Sequence, residues 1–271
     1  MATVVRSFAI QGIDGYLVDI EIKMLEGQPS ISIIGLGDQA VKEAAERIQA
    51  AIDESGYVFP KKRVIISLAP SDKKKSGSHF DLAMAVGVLC QNGDIGVKKL
   101  PDYGFIGELS LDGRLRACRG ILPMIISGQK RGIKKIIVPE ANFKEASLVH
   151  GVEILGFYDL TGVIRYLEGK TTGIETHMEV NEKILEESER ILDFKDVKGQ
   201  DELIEAVVLA AAGGHNMLMV GEPGCGKTMI AQRIPTILPE MTEEECLEVT
   251  KIYSISGLLP NEHALMKYRP F

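Results

Sequence analysis

Residues 221–228 read Gly-Glu-Pro-Gly-Cys-Gly-Lys-Thr and fit the pattern G-x-x-x-x-G-K-[ST]. This pattern constrains the fold strongly, because it needs a strand in front, a curled loop in the middle and a helix behind. The glycines let the backbone curl until several N–H groups face one anion. The helix that follows adds its positive end. Lys227 is placed to reach β- and γ-phosphate oxygens, and the hydroxyl of Thr228 is placed to hold Mg²⁺. The candidate nucleotide-binding residues are therefore Gly221, Glu222, Pro223, Gly224, Cys225, Gly226, Lys227 and Thr228, with Met229 following. Cys225 reads most simply as a small residue that fits the loop.

The flanking sequence supplies the context that the loop requires. The apolar run 216–220 predicts a strand, and residues 227–234 predict a helix. Helices are also predicted over 201–212 and 243–253, the latter opened by a capping box of Thr242 and Glu245. Upstream, residues 2–25 alternate as two strands, with a hairpin signal at Gly12 and Asp14-Gly15. Tyr16, Val18, Ile20 and Ile22 share one face of the second strand. Strands follow at 31–34, 64–68 and 136–138, and Asp112-Gly113 sits between a further strand pair. Helices are predicted from an Asp38 cap to about Glu54, over 80–89, and over 121–131. The overall expectation is a mixed α/β chain. It divides into a domain over 1–167, a polar linker over 168–195 with a possible solvated helix at 180–192, and a second α/β unit over 196–271.

Composition narrows the function. Charged residues make up 25% and the net charge is −7, so a protein coated in basic charge is excluded, although a local basic patch is not. Cys90, Cys118, Cys225 and Cys246 show no C-x-x-C pair, so reduced thiols and a cytoplasmic location are expected, without a membrane partner. His150, His177, His215 and His263 show no metal-ligand spacing.

Three further stretches carry a family resemblance. They are Asp196-Val197-Lys198-Gly199-Gln200, the run Ala210-Ala211-Ala212-Gly213-Gly214-His215-Asn216, and Glu248-Val249-Thr250-Lys251-Ile252-Tyr253-Ser254. With the phosphate loop, they resemble the YifB/ComM family of Mg-chelatase-like AAA+ ATPases. That resemblance implies ATP as the nucleotide, with the segment holding Val197 and Gln200 against the adenine, Mg²⁺ on Thr228, and assembly of copies into a hexamer. The run Gly107-Glu108-Leu109-Ser110-Leu111-Asp112-Gly113-Arg114-Leu115, followed by Gly132-Ile133-Lys134-Lys135, is similar to the domain that this family shares with Lon proteases and RadA. The implied fold is an α+β N-terminal domain of the Lon-protease/ribosomal-S5-domain-2-like type, followed by an incomplete P-loop AAA+ domain. The Walker B acids and arginine finger of the family find no match after the loop, so no catalytic residue is assigned. The chain reads as C-terminally truncated at Arg269-Pro270-Phe271, with little hydrolysis expected of it.

Lon's catalytic Ser and Lys positions fall at about His79 and Leu122, and Leu122 cannot accept a proton. The domain is therefore expected to lack protease chemistry. A repurposed nucleophile built from Ser78, His79 and Asp81 is the less favoured alternative. Two basic clusters, Lys61-Lys62-Arg63 and Lys73-Lys74-Lys75, are candidate DNA contacts, since some family members act on DNA during natural transformation. The leading expectation is an ATP-binding member of a motor family that works on DNA. The alternatives are a non-catalytic assembly module with a silent ATPase remnant, and a Lon-like serine peptidase.

Overall fold

The strands of the N-terminal part are set by alternation of apolar and polar residues. In a computed structural model, which describes residues 2–96, 100–171, 192–259 and 265–270, β1 (Thr3–Gln11) and β2 (Asp14–Leu25) pair antiparallel with Gln11 opposite Asp14. The turn is therefore Gly12-Ile13, within the signal expected over Gly12 and Asp14-Gly15, and Gly12 supplies its left-handed conformation at φ 63°. Val18, Ile20 and Ile22 of β2 all point into the core and are fully buried. The chain divides into two units, Met1–His177 with Thr250–Ala264, and Met178–Val249 with Leu265–Phe271.

In the first unit the chain continues through β3 (Ser30–Ile34), α1 (Gln39–Lys42), α2 (Ala44–Glu54), β4 (Arg63–Ala69) and α3 (Asp81–Asn92). It then forms β5 (Tyr103–Phe105), β6 (Glu108–Leu109), β7 (Leu115–Arg116), α4 (Ile121–Lys130), β8 (Lys135–Pro139), α5 (Phe143–Ala146), β9 (Glu153–Phe157) and α6 (Leu160–Leu167). Seven strands make one mixed sheet in the order β3-β4-β2-β1-β5-β8-β9, while β6 and β7 form a separate hairpin around Asp112-Gly113. The β1–β2 and β2–β4 pairs are antiparallel and the other pairs of the large sheet are parallel.

Helix α3 is buried all round from Asp81 to Leu89, as expected of a helix without a polar face. Gly87 lies where a Cβ would meet Ile22 and Val5, so α3 packs close to the β1–β2 ribbon. Helix α2 instead buries the stripe Ala44, Ile48, Ala51 and Ile52. Each large side chain so buried stabilises the unit by about 1.5–3 kcal/mol. The Asp38 cap holds, with its carboxylate accepting from Val41 N at 3.0 Å. The helix it opens is nevertheless two segments that break at Glu43.

The second unit departs further from expectation. It contains α7 (Asp201–Gly213), α8 (Lys227–Ala231) and the first half of α9 (Glu243–Ser256), and among its described residues there is no strand. The apolar run 216–220, expected as a strand, is irregular and leaves Leu218 and Val220 each 87% exposed. A strand needs a neighbour to take up its N–H and C=O groups, and among the described residues of this unit no strand provides one. Helix α8 is shorter than the expected 227–234: it ends at Ala231, and the chain then turns through a 3-10 helix, Ile234–Ile237, with Pro235 in its first turn. The Thr242–Glu245 capping box does form, at 2.9 and 3.3 Å. Most of the expected linker, and nearly all of the possible helix at 180–192, lies outside the described residues. No helix among the described residues is long and apolar enough to cross a membrane.

Candidate functional site

The loop 221–228 curls through Gly224 at φ 82° and Gly226 at φ 91°, conformations that other residues reach only with strain. Its curvature closes around a cation of its own. The Lys227 ammonium donates to the carbonyl oxygens of Gly221 and Glu222, both at 2.8 Å, and lies 3.3 Å from the thiol of Cys225. Gly221, Glu222, Pro223, Gly224, Cys225, Thr228 and Met229 are all exposed, so the mouth of the loop is open to solvent. The donors gathered here are one ammonium, one exposed hydroxyl and the amides of a curled backbone. Ammonium and amide N–H groups are donors to an anion such as phosphate, and a hydroxyl oxygen such as that of the exposed Thr228 is a ligand type that metal ions accept.

Two sequence-predicted neighbours sit differently from one another. Gln200 is exposed, has the left-handed backbone angle φ 58°, and points its amide nitrogen at Cys225 O at 3.5 Å. Val197 is buried with Phe194, Val207 and Ile230 in the small core of this unit and so is not open to a ligand as Gln200 is. Asp196 pairs with Arg233 at 3.5 Å and ties the start of the unit to the end of α8.

The protease-like position of the first unit is a polar cluster whose members each have other partners. Ser78 donates to the Glu108 carboxylate, whose second oxygen takes Arg116 at 3.3 Å. The His79 ring is buried and its Nε2 donates to Phe8 O at 2.8 Å, which fixes the tautomer. Burial drops its pKa to about 4, with the Phe8 bond and the Asp38 charge opposing weakly. Asp81 is 1% exposed and takes a two-pronged bond from Arg47 at 2.7 and 3.1 Å. Burial pushes its carboxyl up to about 6 against the pull of that guanidinium. Leu122 is fully buried in α4, and its N–H donates to Glu145 at 3.2 Å. The side chains of Ser78, His79 and Asp81 therefore bond to three different groups and not to one another, and the link between these residues is a backbone one, from Asp81 N–H to Ser78 O at 3.1 Å. Sequence reading missed Arg47 and Glu108 as partners because both lie far from this turn in the chain.

The DNA-contact candidates divide in the same way. Lys75 is fully buried and donates to Pro70 O, while its backbone bridges Leu36 and Asp38, so it has no surface to offer a nucleic acid. Lys74 is exposed, and Lys73 lies 4.6 Å above the ring of Tyr16. Lys61, Lys62 and Arg63 are exposed, but Lys62 faces Glu26 at 3.5 Å. Lys61 borders a groove of about 490 Å³ that it shares with the acids Glu46 and Asp53.

Comparison with known proteins matches this architecture to described families. The family "Subunit ChlI of Mg-chelatase" matches residues 20–142, and "Magnesium chelatase, subunit ChlI" matches residues 193–271. The competence protein ComM of Haemophilus influenzae is 35% identical over 269 residues, which is 99% of this chain and 52% of ComM. The uncharacterised protein YifB of Escherichia coli is 36% identical over 255 residues, 93% of this chain and 49% of YifB. A Lon protease of Rhizobium meliloti is 26% identical over 149 residues, 52% of this chain and 18% of that protease. The chain thus spans about half the length of the curated relatives ComM and YifB.

Proposed function

Because the chain belongs to the Mg-chelatase-like family of YifB and ComM, we propose that it binds Mg-ATP through residues 221–228 and serves a cytoplasmic, ATP-driven motor that works on DNA as a ring of copies. The observation that carries this reading is the curled loop with the Lys227 ammonium drawn inside it. Lys227 would exchange its two carbonyl partners for phosphate oxygens. Thr228 would hold Mg²⁺, and Gln200, beside the loop, would meet the base. Bound Mg-ATP would supply the free energy of phosphoanhydride cleavage. What this chain's residues provide is the binding and orientation of the triphosphate. The name of ComM, a competence protein, supports DNA as the polymer acted upon. Titration of mant-ATP into the chain, wild type beside Lys227→Ala, tests the reading. Saturable fluorescence enhancement in the wild type and its loss in the variant are expected. Equal binding by both proteins would sink the assignment of the loop.

A further inference from the structure

The first unit carries a second concave site that neither the sequence motifs nor the family match assigns. It is a pocket of about 290 Å³ between the β1–β2 turn, the C-terminal end of α4 and the second half of α9. Its lining includes Tyr16, Ser127, Lys130, Arg131 and Lys251, with Asp14 as the one acid. Lys130 and Arg131 are exposed. Lys251 reaches in from α9 and stands 3.9 Å from Asp14, itself 78% exposed and so in weak, water-screened contact. Lys73 extends the basic surface across the Tyr16 ring, with Asp72 near it. Three cations from two separate helices therefore converge on one recess, against a chain whose net charge is −7.

We infer that this recess binds a phosphodiester of a nucleic-acid strand, with Lys130, Arg131 and Lys251 as its cationic contacts and Lys73 carrying the track past Tyr16. The inference rests on the proposed action on DNA and gives it a location. The chemistry is that of backbone contact: three side-chain cations, a hydroxyl at Ser127 and no array of side-chain amides to read base edges. The recess suits a strand better than a membrane surface, because its cations line a concave pocket and not a flat face. The clusters noted in the sequence fit less well. Lys75 is buried, Lys62 is paired, and Lys61 shares its groove with two acids.

The test is fluorescence anisotropy of a short labelled single-stranded oligonucleotide, titrated with the 271-residue chain across a series of salt concentrations. Each phosphate contact on a single strand contributes about 0.7 to the slope of log K against log salt, so removing all three cations should lower that slope by about 2. The variants are Lys130→Ala/Arg131→Ala and the same pair with Lys251→Gln. Lys61→Ala/Lys62→Ala serves as the control and should leave the slope unchanged. Lys251→Arg, which preserves the charge, should retain the wild-type slope, and matching thermal melts would show that the variants fold. A triple variant that melts normally and keeps the wild-type slope would overturn this site while leaving the DNA reading intact. No binding by wild type at low salt would overturn both, and the mant-ATP titration would still report on the nucleotide site separately. Binding to phosphatidylserine vesicles without binding to the oligonucleotide would overturn the inference in favour of lipid phosphate.

Discussion

Acidification should destabilise the first unit through His79. Its ring is buried, donates from Nε2 to Phe8 O at 2.8 Å, and has its pKa lowered from 6.5 to about 4, first by burial. The unfolded chain takes up a proton at 6.5 and the folded chain resists it until about 4. The stability that follows from a neutral His79 is therefore complete above 6.5 and is lost progressively as pH falls toward 4. Each pH unit in that interval is worth about 1.4 kcal/mol, so descent to about pH 5 removes about 2 kcal/mol, and the full interval about 3. Other groups titrate over the same range; Asp81, for example, changes stability in the opposite direction. The clean quantity is a difference between two proteins. His79→Gln retains an N–H for Phe8 O and cannot be protonated. Urea denaturation followed by far-UV circular dichroism at about pH 7 and about pH 5 should show wild type losing about 2 kcal/mol more than His79→Gln. Parallel losses in the two proteins would refute the account of a neutral, desolvated ring.

Three further outcomes follow from the packing. Arg47→Met strands the buried Asp81 carboxylate and should cost about 3–5 kcal/mol in denaturant midpoint measurements, with Asp81→Asn in the same background recovering part of it. Gly15→Ala places a methyl 2.2 Å from the Pro123 carbonyl oxygen, a backbone atom of α4, whereas at Gly87 the nearest atom is the tip of Ile22 at 2.3 Å. The first should cost about 3 kcal/mol and the second less, because a side chain can turn away and a helix backbone cannot; equal melting temperatures would contradict this. Residues 216–220, with Leu218 and Val220 open to solvent, should be an early site of limited proteolysis, and mass spectrometry finding the first cuts elsewhere in the second unit would argue against it.

The sequence carried the first unit's elements well because its signals there are local. Alternation in β2, the Asp38 cap and the uniformly apolar α3 each follow from the residues of one segment. The hairpin signal spans Gly12 and Asp14-Gly15, and only pairing along the whole ribbon places the turn at Gly12-Ile13 within it. The run 216–220 carries the composition of a strand, but strand formation depends on a partner that composition does not encode. The phosphate loop was legible as a motif because its chemistry needs glycine, lysine and threonine at fixed spacing. The recess of Lys130, Arg131 and Lys251 was not, since its cations come from helices remote in the chain and no spacing rule links them. The separation of Ser78, His79 and Asp81 was legible only as an expectation that adjacent side chains diverge; their partners Glu108, Phe8 and Arg47 emerge from tertiary contact.

Nucleotide binding turns on the curled backbone of residues 221–228 accepting a triphosphate, with the Lys227 ammonium leaving the Gly221 and Glu222 carbonyls for phosphate oxygens. Isothermal calorimetry of Mg-ATP into the folded chain measures that exchange directly. A saturable heat that disappears in Lys227→Ala and weakens without Mg²⁺ is the predicted result. A flat titration, on material whose circular dichroism shows the helices intact, would contradict it.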